Sequence, residues 1–247
     1  LTNEFKNFEN YNKADELKIN FNKMIKLKID DFKFKETRDF SLKDINFEIK
    51  KNNKVGLVGK TGCGKSTIIQ MIIGIIKDSE VKISIDGKNI DTQSRSWQDQ
   101  ICYVPQKIFV LDDTLKKNIL FGKSEVDVSD EKILKLIHLT SLDKLVEDLP
   151  LGINTKIGEK GHNLSGGEIQ RIAICRALLS DQQIIVLDEA TSALDDQTSS
   201  KILNHILALE DKTVVVVTHK YQNLKKCDKV FSIESGNIHQ IESTKLN

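Results

Sequence analysis

Gly59, Gly64, Lys65 and Ser66 stand at the spacing G-x-x-x-x-G-K-S within the run GKTGCGKST, Gly59 to Thr67. That spacing suits phosphate binding. Glycines let successive backbone N–H groups turn inward around an anion, and a following helix N-terminus adds favourable partial charge. Lys65 then reaches the β and γ phosphates, and the Ser66 hydroxyl ligates Mg²⁺. Thr61, Gly62, Cys63 and Thr67 complete the cradle. A glycine-rich turn without a ligand is the plainer reading. The run, however, follows a short apolar strand, Val55 to Val58, and opens an apolar helix expected from about Ser66 to Ile76. The cradle mechanism requires that strand-loop-helix context.

A phosphate cradle needs partners at the ends of neighbouring strands. Asp188 ends the apolar run Ile184 to Leu187, where its carboxylate can hold Mg²⁺ directly or through water. Glu189 follows at once and is placed to polarise an attacking water as general base. His219 closes VVVVTH, so its imidazole can bond a γ-phosphate or that water, although a lone histidine is more often structural. Gln106, in YVPQ, offers an amide to Mg²⁺ or water just before the chain turns helical.

LSGGEIQR, Leu164 to Arg171, pairs Ser165 with Glu168 as a capping box, which by itself is only a well-made helix start. The cap does not require Gly166 and Gly167, which cost backbone entropy. Two small residues beside a capped N-terminus leave N–H groups approachable by an anion. The chain therefore carries a second candidate phosphate-binding helix start.

The elements that position these groups can be read from periodicity. Ile25, Leu27 and Ile29, then Ile45, Phe47 and Ile49, alternate as strands with one buried face, and Val81 to Ile90 reads as a hairpin turned by Asp86-Gly87. From about 107 to 179 the pattern is helical, with Leu142, Leu145, Val146 and Leu149 on one helix face and Pro150 closing it. The last third returns to continuous apolar strands, IIVLDE, TVVVVTH and a segment near Val230 to Ile233. Such strands alternating with helices predict a mainly parallel sheet covered on both faces. Residues 1–22, rich in Asn, Lys and Phe, read as a linker.

Composition narrows the function. The 247 residues have a formal charge of +1, so bulk electrostatics favours no nucleic-acid partner. Four scattered cysteines without CxxC spacing argue against a disulfide framework or a zinc site. The longest uncharged apolar run, Ile68 to Ile76, is well short of the ~20 residues that cross a bilayer. A start at Leu fits a portion of a longer protein.

On these residues the chain resembles the nucleotide-binding domain of ABC transporters. GKTGCGKST is similar to that family's Walker A, YVPQ to its Q-loop, LSGGE to its signature, and IIVLDE to its Walker B. SALD, Ser192 to Asp195, is similar to its D-loop, and the TH ending at His219 to its switch histidine. All occur in the family's order, from about residue 25 to the end. The resemblance implies an α/β P-loop core with a mainly parallel sheet, an antiparallel β subdomain and the helical subdomain at about 107–179. Residues 23–247 would form this domain, with 1–22 leading from a preceding transmembrane part.

The family further implies two copies sandwiching two ATP molecules with Mg²⁺. Ser165, Gly166, Gly167 and Glu168 of one copy meet the nucleotide held by the other, and Asp195 counts among the nucleotide-binding residues. Ser66, Gln106 and Asp188 would serve the metal, and Glu189, His219 and Gln106 the hydrolysis. Phe34 stands where an aromatic, more often Tyr, stacks on adenine, and Phe32 lies two positions away on the same alternating face. Glu168 stands where Gln is commoner. TKIGEKG, Thr155 to Gly161, is similar to the exporter segment whose acidic residue, here Glu159, meets the transmembrane part at the cytoplasmic face. SWQDQICYVPQKIFVLDDTLKKNILFG, Ser96 to Gly122, is similar to the matching stretch in bacterial exporters of lipid-linked oligosaccharides and polysaccharides.

Three rival classes differ in observable features. A non-transport ABC ATPase acting on DNA or ribosomes would carry a long coiled coil or a second cassette, and an importer subunit would lack the TKIGEKG segment. A regulatory ATP-binding domain would lack Glu189 or His219.

Overall fold

The computed structural model describes residues 19–33, 41–158 and 161–241. The alternation near the start builds β1 (Met24–Lys33) and β2 (Ser41–Lys50), paired antiparallel so that Ile25 faces Ile49, Leu27 faces Phe47 and Ile29 faces Ile45. These six side chains are buried, because a period of two puts every second residue on one face. β4 (Val81–Ile85) joins the other edge of β1, and β5 (Lys88–Asn89) turns back from it through Asp86 and Gly87. Both turn residues have positive φ, 52° and 83°, which matches the right-handed twist of the flanking strands.

A second, six-stranded sheet has the order β12-β11-β3-β10-β9-β6. Its strands are β3 (Lys54–Val58), β6 (Ile101–Val104), β9 (Ile184–Asp188), β10 (Thr213–Thr218), β11 (Lys229–Glu234) and β12 (Asn237–Ile241). All neighbours are parallel except β12, which returns antiparallel on the edge. Every residue of β3, β9 and β10 is buried, which explains runs that read as continuously apolar. One face, with Ile184, Val186, Val215 and Val217, packs on helix α1 (Lys65–Ile72) and the antiparallel sheet. The other, with Ile185, Leu187, Val214 and Val216, packs on the helical residues Ala173, Ile174, Ile202 and Ile206.

Two expectations need correction. Helix α1 stops at Ile72 rather than Ile76, because Gly74 adopts φ 81° and a Cβ there would lie 2.0 Å from the Thr92 carbonyl oxygen. The segment 107–179 is not helical throughout. After the short α2 (Arg95–Gln98), whose buried Trp97 donates to Ile72 O at 2.7 Å, the chain forms β7 (Asp113–Thr114), paired antiparallel with β8 (Lys156–Ile157). This ladder closes the stretch between residues 113 and 157 at its base. Between them lie α3 (Leu115–Leu120), α4 (Asp130–Leu139) and α5 (Asp143–Asp148), and α6 (Gly166–Leu179) follows. Leu142, Leu145 and Leu149 fill a separate core with Ile119, Ile137 and Ile172, as the spacing implied. Helix α7 (Asp196–Leu207) completes the layer over the parallel sheet.

Candidate functional site

The loop between β3 and α1 closes around its own lysine. Gly64 caps the helix at φ 106°, a left-handed geometry that a side chain resists. Lys65 is only 4% exposed, and its Nζ donates to Gly59 O at 2.9 Å and Lys60 O at 3.0 Å. Glu189 Oε1 lies 3.9 Å from the same ammonium. Thr61 and Gly62 are exposed at the loop tip, while Cys63, Ser66 and Thr67 are half-buried below it. A helix start with free N–H groups and a buried cation beside it has the chemistry to receive an anion.

Asp188 occupies the carboxyl end of β9, 2% exposed, and burial pushes its carboxyl above the usual range. Two hydroxyls meet it: Ser66 Oγ donates to Oδ1 at 3.1 Å, and Tyr103 OH donates to Oδ2 at 3.1 Å. Among the described residues no group of three His, Cys, Asp or Glu side chains could hold a metal ion. The hard oxygens of Ser66 and Asp188 instead suit Mg²⁺, which favours one or two protein oxygens together with phosphates and water. The donor set therefore fits that ion when it arrives with a nucleotide.

Glu189 leaves the strand at φ 52°, and Gln106 Nε2 donates to its Oε2 at 3.0 Å. Gln106 is thus brought to Glu189, while its contact with the metal site expected from sequence is not made through any described hydrogen bond. His219 is exposed and lines a cleft of about 470 Å³ with Val58, Gly59, Lys60, Cys63 and Tyr221. It therefore shares a wall with the start of the phosphate loop.

Ser165 caps α6 as expected. Glu168 N donates to Ser165 Oγ at 3.3 Å, and Ser165 N and Oγ each donate to Glu168 Oε2 at 2.7 Å. The paired glycines have different surroundings. A Cβ on Gly166 would find ordinary contact with Ala193, but on Gly167 it would lie 3.2 Å from the Ala193 carbonyl oxygen. Packing within the chain therefore accounts for part of Gly167, which sequence reasoning had left to ligand binding. Asp195 caps α7 by accepting from Thr198 N at 2.9 Å, a bond that holds its carboxyl below the usual range. No described hydrogen bond or ion pair joins Ser165, Gly166, Gly167 or Glu168 to the phosphate loop. Phe34 and Glu159 lie outside the described residues.

Two residues escaped sequence reasoning. Tyr103 sits within YVPQ, but its bond to Asp188 depends on β6 lying beside β9. Gln170 sits within LSGGEIQR and is buried. Its Nε2 donates to Ser192 Oγ at 2.9 Å and Glu189 O at 3.4 Å, and its Oε1 accepts from Ala193 N at 2.9 Å.

The family model for the ABC transporter matches residues 42–192, which span this loop, the insert, α6 and the end of β9. The chain belongs to the ABC transporter family. This ABC ATPase domain is 32% identical over 231 residues to the glutathione/L-cysteine transport system ATP-binding/permease protein CydC of Haemophilus influenzae, covering 93% of the chain and 39% of that protein. It is 38% identical over 200 residues to the ATP-dependent lipid A-core flippase 2 of Colwellia psychrerythraea, covering 80% of the chain and 34% of that protein. Its fold matches that of a bacterial Atm1-family ABC exporter with ATP bound at TM-score 0.81 and 28% identity, over 92% of this chain and 40% of that one. The ABC domain thus spans about two fifths or less of the length of these relatives.

Proposed function

We propose that this chain binds and hydrolyses ATP as the motor domain of an ABC exporter, at the cytoplasmic face of a membrane. The observation that carries the reading is the convergence at one sheet edge of Lys65 in its loop, the Ser66–Asp188 pair and the Gln106–Glu189 pair. Lys65 and the start of α1 hold the phosphates, and Glu189 takes the proton from the attacking water, with His219 orienting the γ-phosphate side of the cleft. Gln106 holds the Glu189 carboxylate and reports its state to the insert. Mg²⁺, held by Ser66 and Asp188, supplies charge neutralisation when bound.

Among the described residues no bond joins the capped start of α6 to the phosphate loop of its own chain, in keeping with its use on the nucleotide of a second copy. Closure of a symmetric pair follows, because each copy carries both halves of the pocket. The exporter reading is supported by relatives that are ATP-binding/permease proteins and flippases, and a lipid or lipid-linked saccharide is the cargo class in keeping with the lipid A-core flippase among them. None of the described helices is long and apolar enough to cross a membrane; the ATP-binding/permease relatives support a spanning part carried in the same protein as the ATPase.

Light scattering on the Glu189→Gln variant tests the pairing. Saturating Mg-ATP is expected to convert it from one copy to two, and Lys65→Ala in the same background to abolish the change. A Glu189→Gln variant that binds ATP yet stays single would overturn the sandwich.

A further inference from the structure

We propose that Tyr103 is a positioning residue for the metal-binding carboxylate, holding Asp188 so that Oδ1 faces Ser66. This rests on the ATPase reading above. Tyr103 is registered beside Val186 in the parallel pairing of β6 with β9. Side chains repeat every second residue along a strand, so Tyr103, Val186 and Asp188 share one face, the face that carries α1 and therefore Ser66. A side chain of tyrosine's length, with a polar tip, spans the diagonal to Asp188, and its hydroxyl reaches Oδ2 at 3.1 Å.

The terminal torsion of an aspartate is broad and two-fold, so a carboxylate held on one oxygen alone can swing. Asp188 is held on both, by Ser66 on Oδ1 and Tyr103 on Oδ2. When the Ser66 oxygen turns to a cation, the Tyr103 bond is the one that remains to fix the carboxylate plane. The ring itself packs against the apolar core, so removal of the hydroxyl alone leaves that packing in place.

The test is Tyr103→Phe, read by calorimetric titration with the non-hydrolysable imido analogue of ATP, once with Mg²⁺ and once with EDTA. The metal-dependent gain in affinity is expected to fall about tenfold, the scale of a hydrogen bond to a charged group, while affinity in EDTA stays as in the wild type. Turnover should recover at high Mg²⁺, so that the Mg²⁺ requirement rises more than the maximal rate falls. An unchanged Mg²⁺ gain overturns the proposal, as does an equal loss with and without metal, which would assign Tyr103 to the shape of the loop. A wild type whose affinity is indifferent to Mg²⁺ would instead sink the ATPase reading itself.

Discussion

Gln106 and Glu189 face each other across the mouth of the parallel sheet, amide nitrogen to carboxylate oxygen at 3.0 Å. One precedes the helical insert and the other directly follows β9, so this bond joins the approach to the insert to the proposed catalytic base. A carboxylate that acts as base loses that role when it becomes an amide of the same shape. Glu189→Gln is expected to keep nucleotide affinity within a few-fold and to lose roughly 10²–10⁴ in turnover, the usual contribution of general-base catalysis. Phosphate release beside fluorescence titration checks both, and retained turnover would remove Glu189 from the chemistry.

The second prediction concerns Gln170, whose amide makes three contacts with the turn Glu189 to Ala193. Gln170→Ala removes the buried amide that makes these bonds, while the exposed Ser192 hydroxyl and Ala193 N–H can turn to water, at a cost of about 0.5–1.5 kcal/mol per bond lost. For a domain of this size that lowers Tm by roughly 2–4 °C per kcal/mol. Calorimetry on the variant reads it directly. An unchanged Tm would show that the helix after the signature does not hold this turn.

The legible parts of the fold were those that depend on neighbours in sequence. Alternation gave the Leu27–Phe47 face, the phosphate-loop spacing gave Lys65 its place, and the three-residue offset of Ser165 and Glu168 gave the cap. Features set by distant partners were silent. Helix α1 ends at Ile72, just before Gly74 where Thr92 crosses, and the two-residue ladder of β7 with β8 is too short to leave a period. Tyr103 becomes functional through a strand pairing that no local pattern encodes. Gln170 is silent for the same reason, since its partners Ser192 and Ala193 lie 22 and 23 residues away in sequence.

Acid sensitivity should centre partly on Asp86. Its carboxylate accepts from the backbone N–H groups of Asn22 at 2.9 Å, Lys23 at 2.8 Å and Met24 at 2.8 Å, pinning the start of β1 to the hairpin turn. Burial pushes this carboxyl up, but the three donors together outweigh it and hold it below the ordinary 3.8. A carboxyl lowered on folding adds stability above its unfolded pKa and loses it as pH falls through the folded one. Asp86→Asn keeps a residue that tolerates the φ of 52° there. Its urea midpoint should fall below the wild type's at neutral pH, and the two should converge under strongly acid conditions. An offset constant with pH would exclude the carboxylate charge as its source.

The last prediction uses the thiols. Burial pushes Cys175 up to about 12 and Cys227 up to about 12, and it raises Cys102 as well, so these three present little thiolate. Cys63 instead lines the cleft with Lys60 and His219. A maleimide should therefore modify Cys63 first, with Cys63→Ser removing the fast phase in mass spectra. Bound nucleotide covers this wall if the loop holds phosphate, and protection scales with occupancy. The imido analogue of ATP with Mg²⁺, at about a hundred times its Kd, should slow the fast phase roughly a hundredfold. Labelling at the same rate with and without nucleotide would mean that the phosphate sits elsewhere, and with it the role assigned to Lys65.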